Sequence, residues 1–451
     1  MKTRKIIFLV LVVFFILFIF ATVNERDRNG AGPIREWVRD RIVANAPATP
    51  IAHEGIQDDN TVEKKEFAAN AVRVGDSNTS YANIEFTSDG KYMVWFEQAL
   101  DGSLNGTVWH CSIDPATGIF IPPDCKGFRA FESTAYGRAN PGMDKNGAYY
   151  VGADRSGKIV FVRPSGPTSG DTTILATHPD PARRSVYPSD LASENKRYVF
   201  WIKNERVPGS GLDRRNDWFE LQMIDADDPM RVEIIERQDK PLIGFAPMDV
   251  GFARWFRGKS LVSYGSKDTN GYVQVKIFDA ASRANLSFVT NDQHHHVDPY
   301  SWNFGGFDYL AAGIDGTNVS ILYKRNGEVG TFFPAETIIP PSQLENPALA
   351  QSHERIVWNG KQYSAYQVND KKRGFFQTAF SSTGEIWFTT LEQMPRLQWL
   401  LTPEGSDMAY AEPEPYVGIN NVWIFYNALP KGGDITKNIW SLYRTETPLA
   451  R

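Results

Sequence analysis

Tyr81 to Asp114 reads YANIEFTSDGKYMVWFEQALDGSLNGTVWHCSID, short β-prone runs separated by turn residues. Tyr81–Phe86 predicts a first strand, Ser88-Asp89-Gly90-Lys91 a tight turn, and Tyr92–Phe96, rich in aromatic and β-branched residues, a second strand. Thr107–Ile113 predicts a third. In Asp114-Pro115-Ala116-Thr117-Gly118 the proline presets φ and the glycine reaches positive φ, so the chain turns again before Ile119-Phe120-Ile121 begins a fourth strand. Four antiparallel strands in succession form the unit of a β-propeller blade.

The same order recurs towards the C-terminus. Second, most apolar strands are predicted at 91–96, 148–153, 197–202, 260–265, 307–313, 362–368 and 421–427, and third strands at 107–113, 158–163, 218–225, 272–279, 318–324, 374–380 and 438–444. Their spacing of about 47 to 63 residues suits blades carrying loop insertions. The expectation is an all-β, single seven-bladed β-propeller, with six or eight blades also compatible. After Trp440-Ser441-Leu442-Tyr443-Arg444 too little chain remains for a fourth strand, and an unclosed ring exposes a costly edge. Residues 71–75 are therefore expected to supply the missing outer strand of the last blade. The domain reading is 1–24 anchor, 25–69 juxtamembrane helix and polar tether, and 70–451 propeller.

The opening stretch resembles the blade repeat of TolB-like β-propeller proteins. Their blades carry a strand, a Ser-Pro-Asp-Gly-Lys type turn, an apolar strand, and a strand ending in a turn like Ile113-Asp114-Pro115-Ala116-Thr117-Gly118. The resemblance covers this first repeat, since later repeats keep the spacing and lose the Asp-Gly-Lys turn. It implies a fold and leaves the activity open.

The 451 residues suit a ring of repeats, and 12 Trp, 18 Tyr and 28 Phe suit sheets packed face to face. A net charge of -5 offers no broad basic surface, which sets nucleic acid aside as a partner. At the N-terminus Lys2, Arg4 and Lys5 precede the unbroken apolar run Ile6 to Val23, long enough to cross a bilayer of roughly 30 Å. A cleavable signal peptide is the competing reading, but its apolar region is usually shorter, and Ala21-Thr22-Val23 is a poor cleavage site. The run reads as an uncleaved signal anchor. Basic residues before it keep the N-terminus cytoplasmic, placing the propeller in the periplasm, at the cell surface or in a lumen. Pro33 to Asn45 spaces Ile34, Trp37, Val38, Ile42 and Val43 as one helical face, suited to a membrane, a partner or its own propeller. Residues 46–66 read as a tether. Cys111 and Cys125 are the only cysteines. Export would let them pair, provided Pro122-Pro123 folds Cys125 back; two separate buried thiols are the alternative.

First strands line a propeller's channel, so their polar residues are the natural candidates for a site. These strands contain Asn83, Glu85, Asn140, Asp190, Asp249, His296, Asp298, His353, Glu354, Glu412 and Glu414. Channel strands are also polar simply because the channel holds water. The ligand-binding candidates are Asp190, Asp249, His296, Asp298, Glu354 and Glu414, with Tyr300 and Trp302 as aromatic platforms. In His294-His295-His296-Val297-Asp298 a strand would point His294, His296 and Asp298 one way and His295 the other, so the three histidines do not make a zinc site by themselves. No metal or cofactor is expected. Two functions remain: a binding or scaffolding module for a protein or glycan, or a glycoside hydrolase-like enzyme using Asp190, Asp249, Asp298 and Glu414. Hydrolysis would need two of these carboxylates about 5 to 5.5 Å or about 6.5 to 9.5 Å apart, according to stereochemistry. P-loop, G-x-S-x-G and dinucleotide motifs do not occur, and Asp225-Ala226-Asp227-Asp228-Pro229 lacks the glycine and distal glutamate of an EF-hand, so it reads as a turn. Asn78, Asn105, Asn285 and Asn318 head glycosylation sequons.

Overall fold

The computed structural model describes residues 62–65 and 70–449, apart from 104, 135–138, 179, 181–182, 193–196, 207–217, 226, 240–250, 257–259, 315–316, 327–330, 340–341, 343, 345–346, 353–355, 371–383, 394, 405 and 434–435. The anchor and juxtamembrane helix expected within 1–45 lie outside these residues. Among the described residues every regular element is a strand, and no helix is long and apolar enough to cross a membrane.

The strands form an all-β β-propeller of six four-stranded sheets and a further, widened sheet of six strands. In chain order, sheet 1 holds Tyr81–Phe86, Tyr92–Gln98, Asn105–Ser112 and Phe128–Thr134. Sheet 2 holds Asn140–Asp144, Gly147–Ala153, Ile159–Gly166 and Ser169–Ala176. Sheet 3 holds Arg183–Ala192, Arg197–Arg206, Trp218–Asp225 and Asp228–Asp239. Sheet 4 holds Gly251–Trp255, Leu261–Lys267, Val273–Asp279 and Ala284–Phe288, and sheet 5 His296–Phe304, Phe307–Ile314, Ser320–Asn326 and Phe333–Ile338. Sheet 6 is built on Pro347–Ser352, Lys361–Asp370, Gly384–Leu391 and Arg396–Leu400, and sheet 7 on Met408–Val417, Val422–Pro430 and Ser441–Glu446. First strands of sheets 1 to 6 touch their neighbours in turn. Sheets 6 and 7 meet through Lys361–Asp370 and Met408–Val417, and Met408–Val417 returns to Tyr81–Phe86, so the ring closes.

The edge that sequence left open is filled. Ala71–Arg73 pairs antiparallel with the last strand, Ala71 opposite Thr445 and Arg73 opposite Tyr443. Val74 N–H then donates to Leu442 O at 2.9 Å, and Val74 is buried with Tyr81, Trp95, Phe425 and Leu442. The tether reading needs correction at 62–65. Val62–Lys65 adds to sheet 6 as a parallel outer strand beside Arg396–Trp399. VEKK carries no strand pattern of its own. Its backbone is recruited by an open sheet edge, and Lys64 Nζ fixes it 2.9 Å from Glu404 Oε1 and over the Trp387 ring. A second correction concerns sheet 6, whose third strand is Gly384–Leu391 in place of the expected 374–380, which falls outside the described residues. Ile386, Trp387 and Phe388 in that strand are buried in the cores on its two faces.

The quoted opening stretch behaves as read, but the fourth strand expected from Ile119 begins at Phe128, and at 119–121 only an isolated bridge pairs Phe120 with Ile113. Gly90 takes φ +67°, and the turn is held by Thr87 Oγ1 donating to Asp89 Oδ1 at 2.8 Å and Gly90 N–H to Thr87 O at 2.7 Å. Asp114 likewise accepts from Ala116 N–H and Thr117 Oγ1. Cys111 and Cys125 form a disulfide with Cα atoms 6.5 Å apart. Cys111→Ser is expected to lower unfolding free energy by about 3 kcal/mol, the chain-entropy value for a loop of this size. Equal urea midpoints for Cys111→Ser and wild type would refute this.

Sheets 1 and 2 share a buried histidine. His110 Nδ1 lies 2.9 Å from Tyr150 Oη, and Nε2 lies 3.1 Å from both Gly166 O and Ser169 O. Two carbonyls require Nε2 to carry the proton, so Nδ1 accepts from Tyr150. Burial lowers the His110 pKa, partly opposed by the two backbone hydrogen bonds. The unfolded chain therefore binds the extra proton first. This site's contribution to stability is complete above about pH 6.5 and is lost as pH falls below it. Urea midpoints from pH 7.5 to 5.5 should fall more steeply for wild type than for His110→Gln, and parallel curves would refute the assignment.

Candidate functional site: the inner strands and their junctions

Most first strands share an irregularity that positions their polar side chains. Pairing with the second strand breaks between Ala82 and Glu85, Val186 and Ser189, Gly251 and Arg254, Val297 and Tyr300, Leu349 and Gln351, and Ala411 and Glu414. Pro188, Pro299 and Pro413 fall inside three of these breaks, where a residue without an N–H costs no ladder bond. Asn83 and Glu412 occupy equivalent bulge positions in sheets 1 and 7, with φ of 45° and 52°.

The bulges bring these two residues together. Glu412 Oε2 accepts from Asn83 N–H at 2.7 Å across the sheet 7 to sheet 1 junction, and from Asn427 Nδ2 at 2.8 Å. Glu412 N–H donates to Gln367 Oε1 of sheet 6 at 2.9 Å, and Gln367 Nε2 to Asn369 Oδ1 at 3.1 Å. Glu412, Gln367, Asn369 and Asn427 are all buried. This polar chain crosses three consecutive sheets where the ring closes. Asn140 Nδ2 reaches in the same way from sheet 2 to Pro188 O of sheet 3.

Carboxylates farther out play a similar part. Glu236, on the outermost strand of sheet 3, accepts from Tyr264 Oη at 2.8 Å, Lys276 Nζ at 3.0 Å and Ser266 Oγ, all of sheet 4. Burial, then the charge and hydrogen bond of Glu236, push the Tyr264 hydroxyl far above its ordinary value, so it stays protonated as a donor. Glu392 of sheet 6, at φ 51°, accepts from Tyr309 Oη and Lys324 Nζ of sheet 5, each at 2.6 Å. Arg396 binds Glu336 across that same junction. These partners come from different sheets, and no local sequence pattern announces them. The inner-strand contacts did leave a signal: a polar or aromatic residue before proline, as in Asn140-Pro141, Tyr187-Pro188, Asp298-Pro299 and Glu412-Pro413.

The nominated ligand-binding residues are spread around the ring. His296 is buried at the start of sheet 5, its Nε2 3.0 Å from both carboxylate oxygens of Asp292. Burial raises the Asp292 pKa, but the hydrogen bond and charge of His296 outweigh it and leave the carboxyl below its ordinary range. The strand begins at His296, so His294 and His295 belong to the preceding turn and the expected strand alternation through His294 does not apply. His295 Nδ1 accepts from Val273 N–H at 3.1 Å. Among the described residues no group of three or more His, Cys, Asp or Glu is arranged to hold a metal ion. Tyr300 and Trp302 are buried between sheets 5 and 6, with Trp302 stacked on Tyr309 at 5.5 Å and donating from Nε1 to Gln362 Oε1 at 2.9 Å. Glu414 is half-buried two residues beyond Glu412. Asp190 and Asp298 fall within first strands, Asp298 inside a bulge, whereas Asp249, His353 and Glu354 lie outside the described residues.

No family model matches the chain, and no curated protein matches it. Solved structures do. The Cps50 (Swd1) β-propeller domain of Myceliophteria thermophila aligns at 10% identity and TM-score 0.49, over 84% of this chain and 98% of that one. An oligogalacturonate lyase in complex with manganese aligns at 10% identity and TM-score 0.47, over 84% and 99%. A prolyl endopeptidase aligns at 11% identity and TM-score 0.46 over 78% of this chain, which spans 47% of the endopeptidase. Similarities this remote concern the fold alone, and what the chain shares with these proteins is the β-propeller.

Proposed function

We propose that this chain is a binding and scaffolding β-propeller of seven blades, one per sheet, with a TolB-like repeat. It is held outside the cytoplasm by residues 6–23 and presents its ring to a protein or glycan. The observation that carries this reading is the use made of Glu412, an inner-strand carboxylate. It is buried and accepts from Asn83 N–H and Asn427 Nδ2, so it joins blades and is not presented to a substrate. The junction carboxylates Glu236 and Glu392 support the same reading, each receiving three donors. A ring whose blades are joined by hydrogen bonds across their seams suits a surface that recognises by shape.

The test uses the full chain in its native membrane. Alkaline extraction should leave it in the membrane pellet, and protease added from outside should reach the propeller; release from the membrane would remove the anchor from the proposal. Chemical cross-linking followed by mass spectrometry should then recover a protein or glycan partner joined to the ring. A glycan panel incubated with wild type, Asp298→Asn and Glu414→Gln should show binding without turnover in all three. Turnover by wild type that either substitution abolishes would replace the binding module with a carbohydrate-active enzyme.

A further inference from the structure

The outermost strand of sheet 3, Asp228–Asp239, is last in its sheet order, with no further described strand on its far edge. Met230, Val232 and Ile234 alternate along it and are 93%, 47% and 55% exposed. No other described outermost strand shows three exposed large apolar side chains on one face. Val232 lies opposite Ile224 and Ile234 opposite Gln222, then the register shifts at Ile235, so the regular apolar stretch is bounded by Pro229 and a bulge. On the other face Arg231 is exposed and Glu233 lies 3.1 Å from Arg283 of sheet 4. An edge of this kind is a template for another strand.

We propose that this edge pairs antiparallel with the same edge of a second copy, about a two-fold axis through Val232. The charge pattern selects both partner and register. Pairing Val232 with Val232 places Met230 opposite Ile234 in both directions, making one continuous apolar stripe, and sets Arg231 opposite Glu233 twice on the reverse face. Shifting the axis to Arg231 opposes two arginines, and shifting it to Glu233 opposes two glutamates. An axis between residues would place apolar against charged side chains. The bulge at Ile235 reverses the side-chain alternation beyond Ile234, which ends the ladder and prevents longer pairings. The segment matches itself only in the Val232 register, and this favours a second copy over an unrelated extended peptide.

The ladder is short, so a captured cross-link is the right readout. Because Cys111 and Cys125 are joined, Val232→Cys introduces the one free thiol of the full chain. Directly opposed residues have Cα atoms about 4.5–5.5 Å apart, within disulfide reach, whereas Met230 and its copy would be separated by roughly 14 Å. In membranes or detergent under mild oxidation, Val232→Cys should yield roughly tenfold more disulfide-linked dimer than Met230→Cys or Ile234→Cys. Adding Arg231→Glu should abolish that dimer, and Arg231→Glu with Glu233→Arg and Arg283→Glu, which reverses the Glu233 to Arg283 pair as well, should restore it. Absence of a Val232→Cys dimer, equal yields at the three positions, or a dimer indifferent to the charge changes would overturn the proposal.

Discussion

Deleting residues 1–74 should destabilise the propeller by on the order of 4 kcal/mol or more and turn a stable ring into one that self-associates. The deletion removes the antiparallel partner of Thr445, Arg444 and Tyr443, Val74 from the core around Tyr81, Trp95 and Leu442, and the outer strand Val62–Lys65 of sheet 6. Burying one valine contributes about 1.5–3 kcal/mol, and each lost ladder bond about 0.5–1.5 kcal/mol, so the sum is a large part of the stability of a typical domain. The open edge would then be free to pair with other chains. Urea unfolding followed by tryptophan fluorescence, alongside light scattering, measures both effects, and a synthetic peptide spanning 70–77 should restore the midpoint in part. A truncated protein with the wild-type midpoint and no scattering would show that closure does not depend on this strand. Gly75→Ala is the single-residue form of the test. Gly75 sits at φ +77°, and an added Cβ would collide with the Tyr81 hydroxyl, so a loss of roughly 1–3 kcal/mol is expected.

Arg325→Met should cost about 3–5 kcal/mol, the range for breaking a buried ion pair from one side. Arg325 Nη2 lies 2.7 Å from Asp308 Oδ2 within sheet 5, and both side chains are buried. Asn303 Nδ2 also donates to Asp308, and a neutral donor does not replace a guanidinium. Arg325→Met combined with Asp308→Leu should regain most of the loss, because the cost lies in a buried carboxylate that has lost its countercharge and not in the missing attraction. Equal destabilisation of the single and double variants would refute that account.

The sheets were legible where side chains carry the signal. Tyr92–Phe96 and the apolar second strands of the later repeats are strands in the structure, and the vacancy beside the last strand could be counted from the chain length alone. Legibility failed where the backbone does the work. Val62–Lys65 becomes a strand because an edge awaits it, which polar residues satisfy as well as apolar ones. In sheet 6 the expected third strand falls on Phe375-Phe376, whereas the described third strand carries Ile386-Trp387-Phe388, and an apolar pattern alone does not rank two such runs. At the candidate site, Asn83 and Glu412 could be named as inner-strand residues, yet their bond needs two bulges to turn them together. Glu236 and Glu392 were invisible for another reason: their partners come from the next sheet.

The latch between the two chain ends also sets a timetable for synthesis. Arg73 Nη2 bonds to Ser441 Oγ, 368 residues later, so the strand that closes the ring waits for nearly the last one made. At ribosomal speeds of about 5–20 residues per second that wait is roughly 20–70 s. Throughout it the nascent chain carries an unfulfilled strand at its leading end, and any factor that shields Ala71–Val74 from neighbouring ribosomes' products would raise the yield of closed rings.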